Sequence, residues 1–144
     1  MANMIVRQIL EIKGNDIWSI GPDVTVFDAL RMMADKDVGA LLVIEGEKLV
    51  GIVSERDYAR KVILKGKASA NTRVREIMTS VLFTVHPDQT VPECMELMTN
   101  KRVRHLPVVL DNKVLGIISI GDVVKNIIYQ QRETIKDLER KVTG

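Results

Sequence analysis

Two stretches of the chain match each other without a gap, and this repetition constrains the fold more than any single motif does. Sliding the sequence on itself by 65 positions, the separation of Pro22 and Pro87, aligns residues 20–61 with residues 85–126. Roughly one aligned position in three is identical, among them Pro22/Pro87, Asp23/Asp88, Thr25/Thr90, Val26/Val91, Lys48/Lys113, Gly51/Gly116, Ser54/Ser119 and Asp57/Asp122. Upstream, VRQIL at residues 6–10 answers VREIM at residues 74–78, at a slightly different offset that implies a short insertion near Gly14. The chain is therefore two copies of one unit, each too small to close a good core alone.

Inside each copy the local signals agree. Thr25 is followed three places on by Asp28, and Thr90 by Glu93, the pattern of a helix N-cap whose acid reaches back to the cap N–H. Apolar residues then fall at Val26, Ala29, Leu30 and Met33, and at Val91, Cys94, Met95 and Met98, one stripe of a helix lying on a core. Pro92 sits in the first turn, where no N–H is needed. The runs ALLVIEGEKLVGIVS and HLPVVLDNKVLGIIS each break at a polar turn (Glu45-Gly46-Glu47; Asp111-Asn112) and read as β-hairpins. A second helix is expected over residues 56–64 in the first copy and from Gly121 onward in the second. IWSI and LFTV supply short extended segments leading into Gly-Pro and His-Pro. The expected architecture is α/β: two β-α-β-β-α repeats, residues 1–70 and 71–144, the second with a C-terminal helix. Their sheets would pack about a pseudo-twofold axis, with the polar stretch at residues 65–72 as connector.

At these residues the sequence resembles a tandem pair of cystathionine-β-synthase (CBS) motifs, the unit called a Bateman module. The resemblance rests on IGPDVTVFDALRMM and VHPDQTVPECMELM at the first helix, on VRHLPVV before the second hairpin, and on the Gly-x-x-Ser-x-x-Asp that closes each hairpin. It covers nearly the whole chain, twice in register. It implies a cleft between the repeats holding two symmetry-related sites, frequent assembly of two modules into a flat disk, and binding of adenine nucleotides or adenosine derivatives in a regulatory role.

A carboxylate suits a ribose cis-diol because its two oxygens accept from both hydroxyls. Asp57 and Asp122 resemble the family's ribose-reading acids. Ser54 and Ser119 stand at a strand end, where a hydroxyl reaches sugar or phosphate and helix N–H groups begin to favour an anion. Helix capping is the competing explanation for both Ser/Asp pairs. The resemblance implies that the Asp57 pocket is completed by Arg104 and His105, and the Asp122 pocket by Gly39 and Ala40. Arg56, beside Asp57, has Gly121 as its counterpart, so the first pocket gathers cations for a phosphate while the second has almost none in matching positions. The expected consequence is unequal affinity, with AMP or ADP at Asp57 and a less charged nucleoside, half a dinucleotide or nothing at Asp122. The base is expected against Ile52 and Phe83 in the first pocket and against Ile117 and Trp18 in the second; a core role competes with that reading for all four.

Other classes are disfavoured. A net charge of +2, from 21 Lys+Arg against 19 Asp+Glu, marks no global nucleic-acid field, and 3% aromatic residues leave few rings for stacking on bases. The basic run NKRVRH reads, at Lys101 and Arg102, as a solvated helix end. His86 and His105 lack partners at metal-ligand spacing, and Cys94 lies on an apolar stripe as a small filler. No phosphate-cradling glycine motif is present and no catalytic constellation is visible, so no enzymatic activity is expected. A single cysteine and no leader pattern point to a reducing cytoplasm; no apolar run is long enough to span a bilayer. Ile128, Gln131, Ile135, Leu138 and Val142 form a short heptad-like seam suited to a homodimer. The expected function is a regulatory module that senses adenine nucleotides, AMP first, then ADP or ATP, NAD(H) or S-adenosylmethionine, on behalf of an unknown target protein. The alternative is a constitutive interaction scaffold with empty clefts.

Overall fold

The computed structural model describes residues 4–14 and 16–143. Its elements in chain order are α1 (Val6–Lys13), β1 (Ser19–Ile20), α2 (Val26–Lys36), β2 (Ala40–Glu45), β3 (Lys48–Ser54), α3 (Glu55–Tyr58), α4 (Val74–Ile77), α5 (Val91–Lys101), β4 (His105–Leu110), β5 (Lys113–Ser119) and α6 (Ile120–Thr143).

The duplication is visible element by element. In one compact unit, Ile17–Leu82, β1 pairs parallel with β2 and β2 antiparallel with β3. In the other, β4 pairs antiparallel with β5, and a parallel bridge from Val85 to Val108 takes the place of the first strand. Both hairpins slip register at equivalent positions, Val43/Ile44 and Val108/Val109. Both preceding helices end on a left-handed residue, Asp37 and Arg102. The Thr25 hydroxyl accepts from the Asp28 N–H, and Thr90 with Glu93 completes the reciprocal box. Asp111 and Asn112 both take positive φ in the second hairpin turn, a conformation Asp and Asn tolerate better than most side chains.

The compact units and the sequence repeats are cut differently. The segment ending at Asp16 belongs with Phe83 and the residues after it, although it precedes the first repeat in the chain. Helix α1 is stitched there by Val6 N–H to Gln89 O (2.9 Å), Arg7 N–H to Pro87 O (2.8 Å) and Val91 N–H to Met4 O (2.8 Å). The repeat-equivalent bonds attach α4 to the first repeat: Val74 N–H to Val24 O (2.9 Å), Arg75 N–H to Pro22 O (2.8 Å) and Val26 N–H to Thr72 O (2.8 Å). Matching ion pairs, Arg7–Asp88 and Arg75–Asp23, flank the two seams. Val6, Ile9 and Leu10 enter the core formed with Leu106, Val108 and Ile118; Val74 and Ile77 enter the one formed with Leu41, Val43 and Val53. Glycine is required where these leading helices approach the hairpins. A Cβ on Gly116 would lie 2.8 Å from Leu10 Cδ2, and one on Gly51 would lie 2.8 Å from Met78 Sδ and 3.0 Å from the Thr79 carbonyl oxygen.

The expected helix over residues 56–64 is only partly α-helical. After Tyr58 the chain widens into a π-helical turn, Ala59–Ile63, closed by Leu64 N–H to Ala59 O at 3.1 Å. The polar connector contains a short 3-10 turn, Ser69–Asn71, and its last residue, Thr72, is buried and donates to Ala68 O. In the second repeat the helix runs unbroken for 24 residues.

Because α1 supplies core to residues far along the chain, Ile9→Ala is expected to cost about 2–5 kcal/mol, the usual range for emptying a buried aliphatic site. Urea unfolding followed by circular dichroism measures it, and a loss below about 0.5 kcal/mol, the scale of surface changes, would contradict the core role of α1.

Candidate functional site

Each hairpin runs directly into a helix, and the junction carries the Ser-x-x-Asp pair. Ser54 Oγ accepts from the Asp57 N–H (3.1 Å), while Asp57 Oδ2 accepts from the Ser54 N–H and hydroxyl, both at 3.0 Å. At the second junction Ser119 Oγ accepts from the Asp122 N–H (3.2 Å) and Asp122 Oδ2 from the Ser119 N–H (2.8 Å). Both pairs are reciprocal caps, the competing explanation weighed from sequence. The caps also fix one hydroxyl and one carboxylate side by side at a helix N-terminus, with acceptor capacity left over on each acid.

Both carboxylates meet a lysine. Lys61, one helical turn on, stands 3.3 Å from Asp57 Oδ1 and donates to Ile77 O at 2.8 Å. Asp122 is engaged by Lys13, 109 residues away on α1: its Nζ donates to Asp122 Oδ2 at 2.7 Å and to Ile117 O at 2.8 Å. Burial pushes the Asp122 carboxyl up, but the hydrogen bond and charge of Lys13, with the Ser119 donors, outweigh it and hold the group below its ordinary value. This cation comes from outside the positions that match Arg56, Arg104 and His105, a source the repeat comparison does not reach. Lys61 was legible as an i,i+4 partner of Asp57, whereas nothing in the sequence ties Lys13 to Asp122.

In the Ile17–Leu82 unit, Ala40 pairs with Ser54 across the sheet and Gly39 O accepts from the Glu55 N–H (3.1 Å), so both stand beside the Ser54–Asp57 junction, with Arg56 exposed on α3. Ile52 is buried and exchanges both backbone hydrogen bonds with Thr79. Trp18 packs against the same core with Lys36 Nζ 4.3 Å from its ring centre. In the other unit, His105 pairs with Ser119, and Arg104, itself exposed, accepts the Ile120 N–H at its carbonyl (2.9 Å), so these two stand beside the Ser119–Asp122 junction. Phe83 packs on that unit's core with Lys101 Nζ 5.4 Å from its ring centre, and Ile117, half-buried, offers its carbonyl to Lys13. Cys94 is fully buried, which pushes its thiol up to about 11, with the Glu93 charge adding to the effect, and so disfavours the thiolate. Among the described residues no group of three His, Cys, Asp or Glu side chains is placed to hold a metal ion, and no helix is long and apolar enough to cross a membrane.

The CBS domain model matches this chain twice, at residues 6–64 and 74–129. The mitochondrial CBS domain-containing protein CBSX3 of Arabidopsis thaliana is 42% identical over 136 residues, which is 91% of this chain and 66% of that protein. YhcV, a CBS domain-containing protein of Bacillus subtilis, is 31% identical over 75% of this chain and 76% of its own length. The chain thus spans just under two thirds of CBSX3, and 60% of the Methanopyrus kandleri protein MK0525, to which it is 32% identical. Among solved structures, a CBS-domain protein of Burkholderia ambifaria superposes with a TM-score of 0.85 at 49% identity, covering 89% of this chain and 96% of that one. The CBS domain pair of MJ0100, solved in complex with 5′-methylthioadenosine and S-adenosyl-L-methionine, superposes at 0.75 with 25% identity over 85% of this chain and 98% of that one.

The Asp122 geometry carries a pH dependence of known sign. A carboxyl whose folded value lies below its unfolded one adds stability above the unfolded value, near 3.9 for Asp, and loses it as pH falls through the folded value. Thermal unfolding from pH 6 down to about pH 2.5 should therefore show a shallower acid-side fall in Tm for Asp122→Asn than for the parent. Parallel curves would show that Lys13 and Ser119 do not hold the carboxylate.

Proposed function

The chain belongs to the CBS domain family as a tandem pair, and from that premise we propose that it is a regulatory module binding an adenosyl ligand, with no catalysis of its own. The observation that carries the reading is the doubled junction: at each, a capped serine hydroxyl and a carboxylate with spare acceptors lie at a helix N-terminus, a chemistry that suits a sugar diol next to an anion. The adenosyl complexes of the MJ0100 domain pair support the same ligand class.

Asp57 and Asp122 read the sugar, Ser54 and Ser119 the sugar or phosphate, and Ile52, Phe83, Ile117 and Trp18 are apolar candidates for the base. Arg56, Arg104 and His105 are the candidates for a phosphate, which favours AMP, then ADP or ATP; NAD(H) and S-adenosylmethionine are the further adenosyl candidates. Ligand acts by preferring one of two arrangements of the module, because without differential affinity no equilibrium moves. A protein target reads the change.

A second copy of the chain is the partner we assign to α6. Past the body of its unit this helix leaves Ile128, Ile135, Leu138 and Val142 at 43%, 55%, 56% and 85% exposure along one seam. Basic and acidic residues alternate beside it, with Arg140 and Lys136 already paired to Asp137 and Glu133 within the helix, the composition of a self-associating helix surface.

Titration with AMP, ATP, NAD and S-adenosylmethionine should raise Tm for at least one ligand, since binding to the native state stabilises it, by about 2.7 kcal/mol at a hundredfold excess over Kd. Asp57→Ala is expected to remove tight binding while Asp122→Ala leaves a phosphorylated ligand bound. No shift and no heat with any of the four would replace this reading with a constitutive scaffold. For the oligomer, Leu138→Glu should convert a dimer to a monomer by light scattering, and a parent already monomeric at 100 μM would refute the seam.

A further inference from the structure

Lys13 is the last residue of α1, and the helix stops there: Gly14 turns away at φ +94° after donating its N–H to Leu10 O (2.8 Å). The ammonium is aimed back at β5 and the start of α6, where it bonds Ile117 O (2.8 Å) and Asp122 Oδ2 (2.7 Å) together. Both acceptors belong to the site read above, one on the strand carrying the base-facing Ile117 and the other on the sugar-reading acid. Adenosine carries donors suited to either acceptor, an exocyclic amino group for a carbonyl and ribose hydroxyls for a carboxylate. The lysine therefore stands in for the donors of a nucleoside. Its side chain is 36% exposed and that of Asp122 24%, so the pair is partly shielded from water but open to exchange.

The equivalent acid is held otherwise. Lys61 approaches Asp57 Oδ1 at 3.3 Å from the next turn of the same helical segment and gives its hydrogen bond to Ile77 O, which lies on α4 and not on the hairpin. At Asp57 the wall residue Ile52 exchanges its backbone hydrogen bonds with Thr79.

We propose that Lys13 is a tethered competitor at the Asp122 site: it occupies the acid and the Ile117 carbonyl in the unliganded chain and must be displaced before an adenosine-like ligand binds. The proposal rests on the adenosyl-ligand reading of that junction. It makes the Asp122 site the weaker of the two for an uncharged nucleoside, by a residue that neither repeat's own motif contains.

The test is an ¹⁵N NMR titration with adenosine, following the Ser119 and Asp122 amides for this site and the Ser54 and Asp57 amides for the other. Lys13→Met, which keeps the aliphatic stem, should tighten adenosine binding at Ser119 and Asp122 by roughly threefold to tenfold, the equivalent of losing one partly exposed ion pair. It should leave the Ser54 and Asp57 response as in the parent. Lys13→Arg should bind like the parent, and Lys13→Gln replaces the Met variant if that one does not fold. Unchanged or weaker binding at Ser119 and Asp122 in the Met or Gln variant would overturn the proposal. Perturbation confined to Ser54 and Asp57 in every chain would sink the competitor and leave the proposed function standing; perturbation nowhere, with AMP as well as adenosine, would sink both.

Discussion

The structure depends on how each hairpin closes its core. A two-stranded hairpin is marginal alone, and each takes its remaining cover from a helix outside the aligned residues 20–61 and 85–126. For β4 and β5 the cover is α1, which precedes the other repeat; for β2 and β3 it is α4, which opens the second. The hydrogen bonds that fix these helices are equivalent between the units, down to the Arg–Asp pairs at Asp88 and Asp23. Gly51 and Gly116 follow from the same requirement, since any side chain there would fill the space of Met78 or Leu10. The contacts joining α1 to residues 87–91 are highly non-local, so chain connectivity alone predicts slower folding of that unit than of Ile17–Leu82.

Capping and ligand reading compete for the Ser-x-x-Asp pairs only if a carboxylate has one use. Ionised Asp offers about four lone-pair positions, and the cap takes one oxygen at each junction. What the cap contributes to a site is order. It removes rotamer freedom from hydroxyl and carboxylate before any ligand arrives, which lowers the entropy cost of binding. The same arrangement explains why Ser and Asp keep a spacing of three in both copies: that spacing is the one at which a side chain at the cap and one at N3 exchange bonds.

The repeat made most of the fold legible. An offset of 65 read from sequence is the offset at which strands, register slips and left-handed helix ends recur. The change of offset between VRQIL and VREIM was equally visible, but not its meaning, because periodicity shows that a segment is helical without showing whose core it covers. Legibility of the site followed the same line. Ser54, Asp57, Ser119 and Asp122 stood out through local pattern, and Lys61 was within reach of helical spacing. Lys13 was invisible, since its partner lies 109 residues off and the contact exists only because α1 crosses to the other repeat's hairpin. The π turn at Ala59–Ile63 likewise has no local signature beside the ordinary helical stripe.

That crossing joins core and site through one helix. The face of α1 carrying Val6, Ile9 and Leu10 is locked into buried aliphatics, while its end carries Lys13 to Asp122. Whatever alters the partner of Lys13 acts on an element that cannot shift freely, because displacing the buried face would expose apolar surface at roughly 25 cal/mol per Å². The exchange at Asp122 is therefore confined to the lysine side chain and the turn at Gly14, where the positive φ already ends the helix. Asp57 meets α4 differently: its cation, Lys61, sits on its own helical segment and reaches α4 only through a hydrogen bond to the Ile77 carbonyl. The two junctions, alike in sequence and capping, thus differ in which element supplies the cation on each acid, and the difference goes with the extra turn by which α1, eight residues long, outlasts the four-residue α4.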